Sequence, residues 1–238
     1  MARLLSRTWC ALAAALLAVS VMSASPLPAE AQNCGSRSCA ASGEPGDFDF
    51  YLLSLSWSAT YCANHRADGA RRPSSQCQDG GGQGFVVHGL WPQYEQGYPS
   101  ACQPSAPAPS WFILRETGDL YPDPGLARHE WRQHGSCSGK TPSAYFDDVR
   151  RARDMVTIPE IFRGDGAGWV NLTGNEIKRR FVEANPGLRA DMLTLTCRGS
   201  LLSEVRVCLT RDLRGFRPCP QAMPQACRAY QISVPKPF

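Results

Sequence analysis

The chain has 238 residues, 43% of them hydrophobic and 19% charged, with a formal charge of +4. That length supports one domain with a proper core and is too short to argue for two, and the hydrophobic share excludes a largely disordered chain. The mild positive charge permits a polyanionic partner without arguing for one.

The first segment reads as a targeting sequence. Arg3 and Arg7 are followed by a mostly apolar stretch of 14 residues, Trp9 to Met22, too short to span a bilayer unaided. Ala29-Glu30-Ala31 fits a small-x-small cleavage site. These features predict a signal peptide over residues 1–31, with Ser23-Ala24-Ser25 as an earlier cleavage site and an uncleaved anchor as the competing reading. A single domain is then expected over 32–238, secreted or periplasmic and with no membrane attachment after cleavage. Loss of Arg3, Arg7 and Glu30 lowers its formal charge to +3. Cys10 lies in the leader, and ten cysteines remain: Cys34, Cys39, Cys62, Cys77, Cys102, Cys137, Cys197, Cys208, Cys219 and Cys227. An even number behind a signal peptide points to an oxidising compartment and up to five disulfides. No C-x-x-C pair is present, which argues against structural zinc.

Along the chain, residues 32–46 read as an N-terminal arm. Phe48 to Trp57 reads as a buried strand, and residues 63–84 as a Gly-rich polar loop. Phe85 to His88 is a short strand expected to end at Gly89, with Val86 and His88 on one face. A proline-rich loop over 97–110 precedes a short helix at Ser110 to Glu116. Asp123-Pro124 starts a helix that is expected to run from Gly125 to His134 and stop at Gly135. Further helices are expected over Pro142 to Met155 and from the capping box Thr173-Gly-Asn-Glu176 to a stop before Asn185-Pro186. Met192 to Cys197 and Leu202 to Leu209 form a strand pair about a Gly199-Ser200 turn, with Val205, Val207 and Leu209 alternating against Glu204, Arg206 and Cys208. Helices and strands mix without βαβ regularity, so the fold class is α+β.

Four histidines are present, and three fall in two dense segments, Phe85-Val-Val-His-Gly-Leu-Trp-Pro-Gln93 and His129-Glu-Trp-Arg-Gln-His-Gly-Ser-Cys137. Glu130 and His134 are i and i+4 on a helix, as are His129 and Gln133. His129 and His134 are five apart, about 140° around the helix, so they do not share a metal as the histidines of a zinc-protease helix do. Two histidines on separate elements with a carboxylate suit acid–base chemistry, one taking a proton while the other gives one. RNA cleavage needs that arrangement: a base for the ribose 2′-OH, an acid for the leaving 5′-oxygen, and donors for the phosphate oxygens. DNA, which lacks the 2′-OH, should not be cleaved. Each part also has a structural reading, with His88 a strand-end histidine, Glu130 and His134 a surface pair, and Trp91 and Trp131 core residues.

His88-Gly-Leu-Trp-Pro92 and His129-Glu-Trp-x-x-His-Gly-x-Cys137 closely resemble the two active-site motifs of the RNase T2 family of secreted ribonucleases. The likeness extends to Trp57…Tyr61-Cys62, Asn185-Pro-Gly and the Cys-rich C-terminal third. The resemblance implies an antiparallel sheet packed with helices. It also implies cleavage of single-stranded RNA, with low base specificity, through a 2′,3′-cyclic phosphate to a 3′-phosphate, without metal or cofactor, by a monomer. His134 would be the base and His88 the acid. His129 would hold the phosphate, Glu130 would act on phosphate oxygens or tune the histidines, and Trp91 would stack a base.

The family usually carries lysine directly before the last histidine of the second motif, where this chain has Gln133, an uncharged donor. That departure motivates a competing reading, a non-catalytic RNA-binding relative; a secreted interaction protein is a third. The resemblance further implies the pairs Cys102–Cys137, Cys197–Cys227 and Cys208–Cys219, with Cys62–Cys77 and Cys34–Cys39 completing the set. Asn171-Leu-Thr173 is a glycosylation sequon.

Overall fold

Alternation along one strand organises the molecule. In the computed structural model, which describes residues 40–41, 43–67, 74–77, 84–163, 169–220 and 227–236, β1 (Ala40–Ala41) is followed by the sheet's spine, β2 (Phe50–Trp57). Nearly all of β2 is buried because both of its faces are covered. Tyr51, Leu53, Leu55 and Trp57 enter the main core, whereas Phe50 and Leu52 join Trp91 and Cys208 in a smaller cluster. The proposed leader and Cys34–Cys39 lie outside the described residues.

After β2 the chain forms α1 (Ser58–Ala67) where a loop was expected from residue 63. An apolar period is absent there, and the helix is anchored instead by the Cys62–Cys77 disulfide and by Gln76 Nε2, which donates to Ser58 Oγ at 2.9 Å. β3 (Phe85–Gln93) pairs antiparallel with β2 and does not stop at Gly89. It continues through Pro92 because it is an edge strand, where a missing N–H is tolerated. A bulge at Ser54/Leu55 absorbs the register change beside Gly89. β4 (Tyr98–Pro99) pairs with β1.

The helices follow their capping signals. Ser110 caps α2 (Trp111–Glu116), Asp123 caps α3 (Pro124–Gln133) with Pro124 at its start, and Thr141 caps α4 (Pro142–Asp154). β5 (Val170–Leu172) leads to α5 (Gly174–Ala184), which has the full capping box of Thr173 and Glu176. Trp131, Tyr145, Val149, Ile177 and Phe181 carry these helices onto the core face of the sheet. β6 (Leu193–Arg198) and β7 (Leu201–Thr210) form the expected hairpin, with Gly199 at φ 62° in the turn. β7 lies antiparallel to β2. β8 (Ile232–Val234) meets β7 in a short parallel pairing, so the sheet, with path β3-β2-β7-β8-β5, is mixed rather than wholly antiparallel.

Four disulfides are formed among the described residues: Cys62–Cys77, Cys102–Cys137, Cys197–Cys227 and Cys208–Cys219. No helix among those residues is long and apolar enough to cross a membrane.

Candidate active site

The site lies on the sheet face opposite the main core, where the small apolar cluster gives way to polar residues. β2 sits between the other two strands: Leu52 is paired with both Trp91 and Cys208, and Ser54 with both Gly89 and Arg206. The same face therefore carries Ser54 and Ser56 from β2, Glu204 and Arg206 from β7, and Trp91 and His88 from β3. Sequence reading missed Glu204 and Arg206. The alternation that put Val205 and Val207 inward was visible, but the β2 register that brings β7 to His88 was not.

His88 is held from two sides. Its Nδ1 lies 2.5 Å from Oε1 of Glu204, and its Nε2 lies 3.7 Å from Oε1 of Glu130. Glu204 is buried and is itself fixed by Arg206 Nε at 2.8 Å, Arg206 Nη2 at 2.6 Å and Thr196 Oγ1 at 3.3 Å. Burial alone would lower the His88 pKa, but the Glu204 hydrogen bond and the charges of Glu204 and Glu130 outweigh it, and the pKa is raised. Glu204 shows the converse: burial would raise its pKa, yet His88 and Arg206 hold it at about 2. The pair is a charged carboxylate beside an imidazole biased toward its protonated form.

Glu130 reaches β3 from α3 and is 1% exposed. Its Oε2 accepts from Trp91 Nε1 at 2.7 Å. Burial pushes its pKa up to about 7, against the opposing pull of His88 and of the Trp91 hydrogen bond. Gly89 makes this packing possible, because a Cβ there would collide with the Trp91 indole and the Glu130 carboxylate.

His134 ends α3 as its C-cap, its N–H donating to the Glu130 carbonyl at 2.9 Å. It departs from helical backbone one residue earlier than expected, and a 3-10 turn over Gly135–Ser138 follows. Both imidazoles pack on the same indole: the ring centroid of Trp91 is 5.2 Å from that of His88 and 5.1 Å from that of His134. Among the described residues, His134 Nδ1 is buried without a hydrogen-bond partner. Burial, together with the charges of His88 and His129, pushes its pKa down to about 3.

The other expected site residues diverge. His129 is exposed and shares a cleft of about 290 Å³ with His88, Gln76 and Asp123. Its pKa is lowered by burial, Arg132 and His88. Gln133 is half-buried, and its Oε1 accepts from Ser100 Oγ at 3.3 Å. The stacking surface expected at Trp91 is not an open face: the residue is 9% exposed, its Nε1 is engaged by Glu130, and Arg206 lies 5.0 Å from the ring centroid. A second cleft of about 250 Å³ lies along His88 and Glu204. Among the described residues no group of three or more His, Cys, Asp or Glu is placed to hold a metal ion.

The disulfide Cys102–Cys137 closes just beyond His134, and the Ala101 N–H donates to the Gln133 carbonyl at 2.8 Å. The two links hold the end of α3 against the segment after β4.

The model of the Ribonuclease T2 family matches residues 48–219, and the chain belongs to that family. It is 43% identical over 117 residues to a ribonuclease of Aeromonas hydrophila, covering 48% of this chain and 50% of that one. It is 31% identical over 148 residues to a probable ribonuclease of Haemophilus influenzae, covering 58% and 54%. The matched stretch thus spans about half the length of these two relatives. Among solved structures, a mutant of RNase MC1 in complex with 5′-UMP superposes with a TM-score of 0.61 at 19% identity, covering 78% of this chain and 98% of that one; this likeness concerns the fold.

Proposed function

We propose that the protein is an endoribonuclease that cleaves single-stranded RNA by transesterification to 2′,3′-cyclic phosphates and then 3′-phosphates. The observation that carries this reading is the opposite bias of two imidazoles on one indole, His88 raised and His134 lowered. At mildly acidic pH His88 is protonated and His134 is neutral. His134 removes the proton of the ribose 2′-OH, which attacks the adjacent phosphorus. His88, with Glu204 on its Nδ1, gives a proton from Nε2 to the departing 5′-oxygen. In the second step the roles reverse: His88 takes a proton from water, and His134 returns one to the 2′-oxygen. Glu130 and His129 flank Nε2 and the adjoining cleft and steady the phosphate oxygens, Glu130 as a donor when protonated. A bound phosphodiester anion favours the charged form of both imidazoles, so it brings His134 closer to a useful basicity.

The chemistry needs no metal, and DNA is not a substrate because it lacks the nucleophile. The family's ribonucleases and the nucleotide bound to RNase MC1 support RNA as the substrate class. The leader features support a secreted or periplasmic location with no membrane attachment after cleavage. Digestion of RNA in the presence of EDTA tests the reading. Cleavage to cyclic-phosphate ends that is lost in His88→Ala and His134→Ala is expected. Retention of RNA without products would indicate a binding protein, and neither result an interaction protein.

A further inference from the structure

We propose that the cleft bounded by α1 and the β6–β7 hairpin is a subsite for one further nucleotide of single-stranded RNA, beyond the two joined by the scissile phosphate, with its base stacked on Tyr61. The proposal rests on the endoribonuclease reading for what occupies the site, and on geometry for where it lies. Ser56, Tyr61 and His88 line both clefts. A strand whose scissile phosphate sits at His88 therefore passes Tyr61 as it moves from the His129 side to the other side.

Tyr61 is built as a platform. It is 39% exposed, one of few large aromatic residues left open on the described surface, and it alone of those borders His88. Its ring stacks on that of His65, one helical turn on, at 5.5 Å between centroids and 20° between planes. The adjacent Cys62–Cys77 disulfide and the Gln76–Ser58 hydrogen bond fix the helix that carries it. A ring held in place loses little freedom when a base covers it, and stacking on a π-face tolerates any base. Trp91, the ring expected from the sequence to stack a base, is covered by Glu130, Arg206 and His134 and leaves that task to another residue.

The remaining walls match a nucleotide's polar parts. Asn64 and Ser203 line the cleft with hydrogen-bonding groups, and Arg198, an exposed residue, brings a guanidinium to its wall whose chemistry suits a phosphate. Its volume of about 250 Å³ is below the ~300–1,000 Å³ of drug-sized sites, in keeping with one nucleotide rather than a folded ligand.

Two measurements test this. The first is affinity for an uncleavable 2′-O-methyl tetranucleotide, read by calorimetry, which does not depend on catalysis. The second is the ratio of kcat/KM for a tetranucleotide to that for a dinucleoside monophosphate. Tyr61→Ala is expected to lower the affinity and the ratio by about 5- to 150-fold, the range of one lost base stack, while Tyr61→Phe retains both. Arg198→Gln, on the opposite wall, is expected to reduce the slope of log affinity against log salt by about 0.7. Unchanged affinity in Tyr61→Ala together with an unchanged salt slope in Arg198→Gln overturns the subsite. So does an equal loss on the dinucleoside monophosphate, which does not reach the cleft. Absence of cleavage by the wild-type protein defeats the endoribonuclease reading instead, and the affinity measurement still decides the subsite.

Discussion

Glu204 and His88 are 116 residues apart in sequence, yet Oε1 of one lies 2.5 Å from Nδ1 of the other. The contact fixes which imidazole nitrogen faces the cleft, because a carboxylate can only accept and Nδ1 must therefore carry a hydrogen. Nε2 is left to deliver the proton. Arg206 and Thr196 hold the carboxylate from behind, so the orientation of His88 is set by the sheet rather than by a loop.

Glu204→Gln tests this coupling. The amide keeps the shape and removes the charge, so the His88 pKa falls. An acid must be protonated to act, and a lower pKa means that its active form is lost at lower pH. The basic limb of the kcat/KM–pH profile is expected to move to lower pH, with a loss at neutral pH of at most the ~10²–10⁴-fold that a positioned acid contributes. A profile that overlays the wild-type one would show that Glu204 does not tune His88.

This relationship also marks where sequence reading stops. His88, Trp91, Glu130 and His134 were legible because each sits in a dense local motif. The helix starts at Asp123-Pro124 and Thr173 were legible because capping is decided within four residues. Glu204 needed β2 as an intermediary, and strand register is a non-local property. α1 was missed because its helix is secured by a disulfide and a glutamine side chain, not by an apolar stripe. Gly89 was read as a strand end on propensity, whereas the structure uses it to let an indole and a carboxylate approach the backbone.

Gly89→Ala is accordingly more than a mild strand substitution. The added methyl must displace either Trp91 or Glu130, both buried. Overpacking of this kind costs about 1–3 kcal/mol, and displacement of Glu130 disturbs His88 as well. Denaturant unfolding is expected to show the loss of stability, with ribonuclease activity falling further than stability alone explains. A variant as stable and active as the parent would contradict this account of the packing.

His134 makes the stability depend on pH. Its pKa is about 3 in the folded protein and near 6.5 in an unfolded chain. Between those values the unfolded chain binds the proton and the folded one does not, so stability falls as pH drops from about 6.5 toward 3. Glu130, with its pKa raised to about 7, acts in the opposite sense, favouring the fold below about 4.5 and less as pH rises. A comparison with His134→Gln removes one contribution and keeps the other. The variant's Tm is expected to fall less than that of the wild type on acidification from pH 6.5 to 4. Parallel Tm curves would mean that the buried imidazole is not neutral in the fold.

Gln133 stands where the family usually has lysine, and the structure gives it another task. Its Oε1 accepts from Ser100 Oγ while its carbonyl accepts from Ala101, so it ties the end of α3 to the segment before Cys102. A transition-state donor is worth ~10²–10³ in rate when lost outright. Gln133→Lys would supply charge near the phosphate at the expense of one neutral hydrogen bond, about 1 kcal/mol. Turnover on RNA is expected to rise, by less than that range because an amide already donates, with a small drop in Tm. The cation would also disfavour the charged form of His134 and so weaken it as a base, which limits the gain on the cyclic-phosphate-forming step, where charge stabilisation at the phosphate and loss of basicity at His134 oppose each other. Unchanged or lower turnover in a folded Gln133→Lys protein would show that the Ser100 contact, not the missing charge, is what this position contributes.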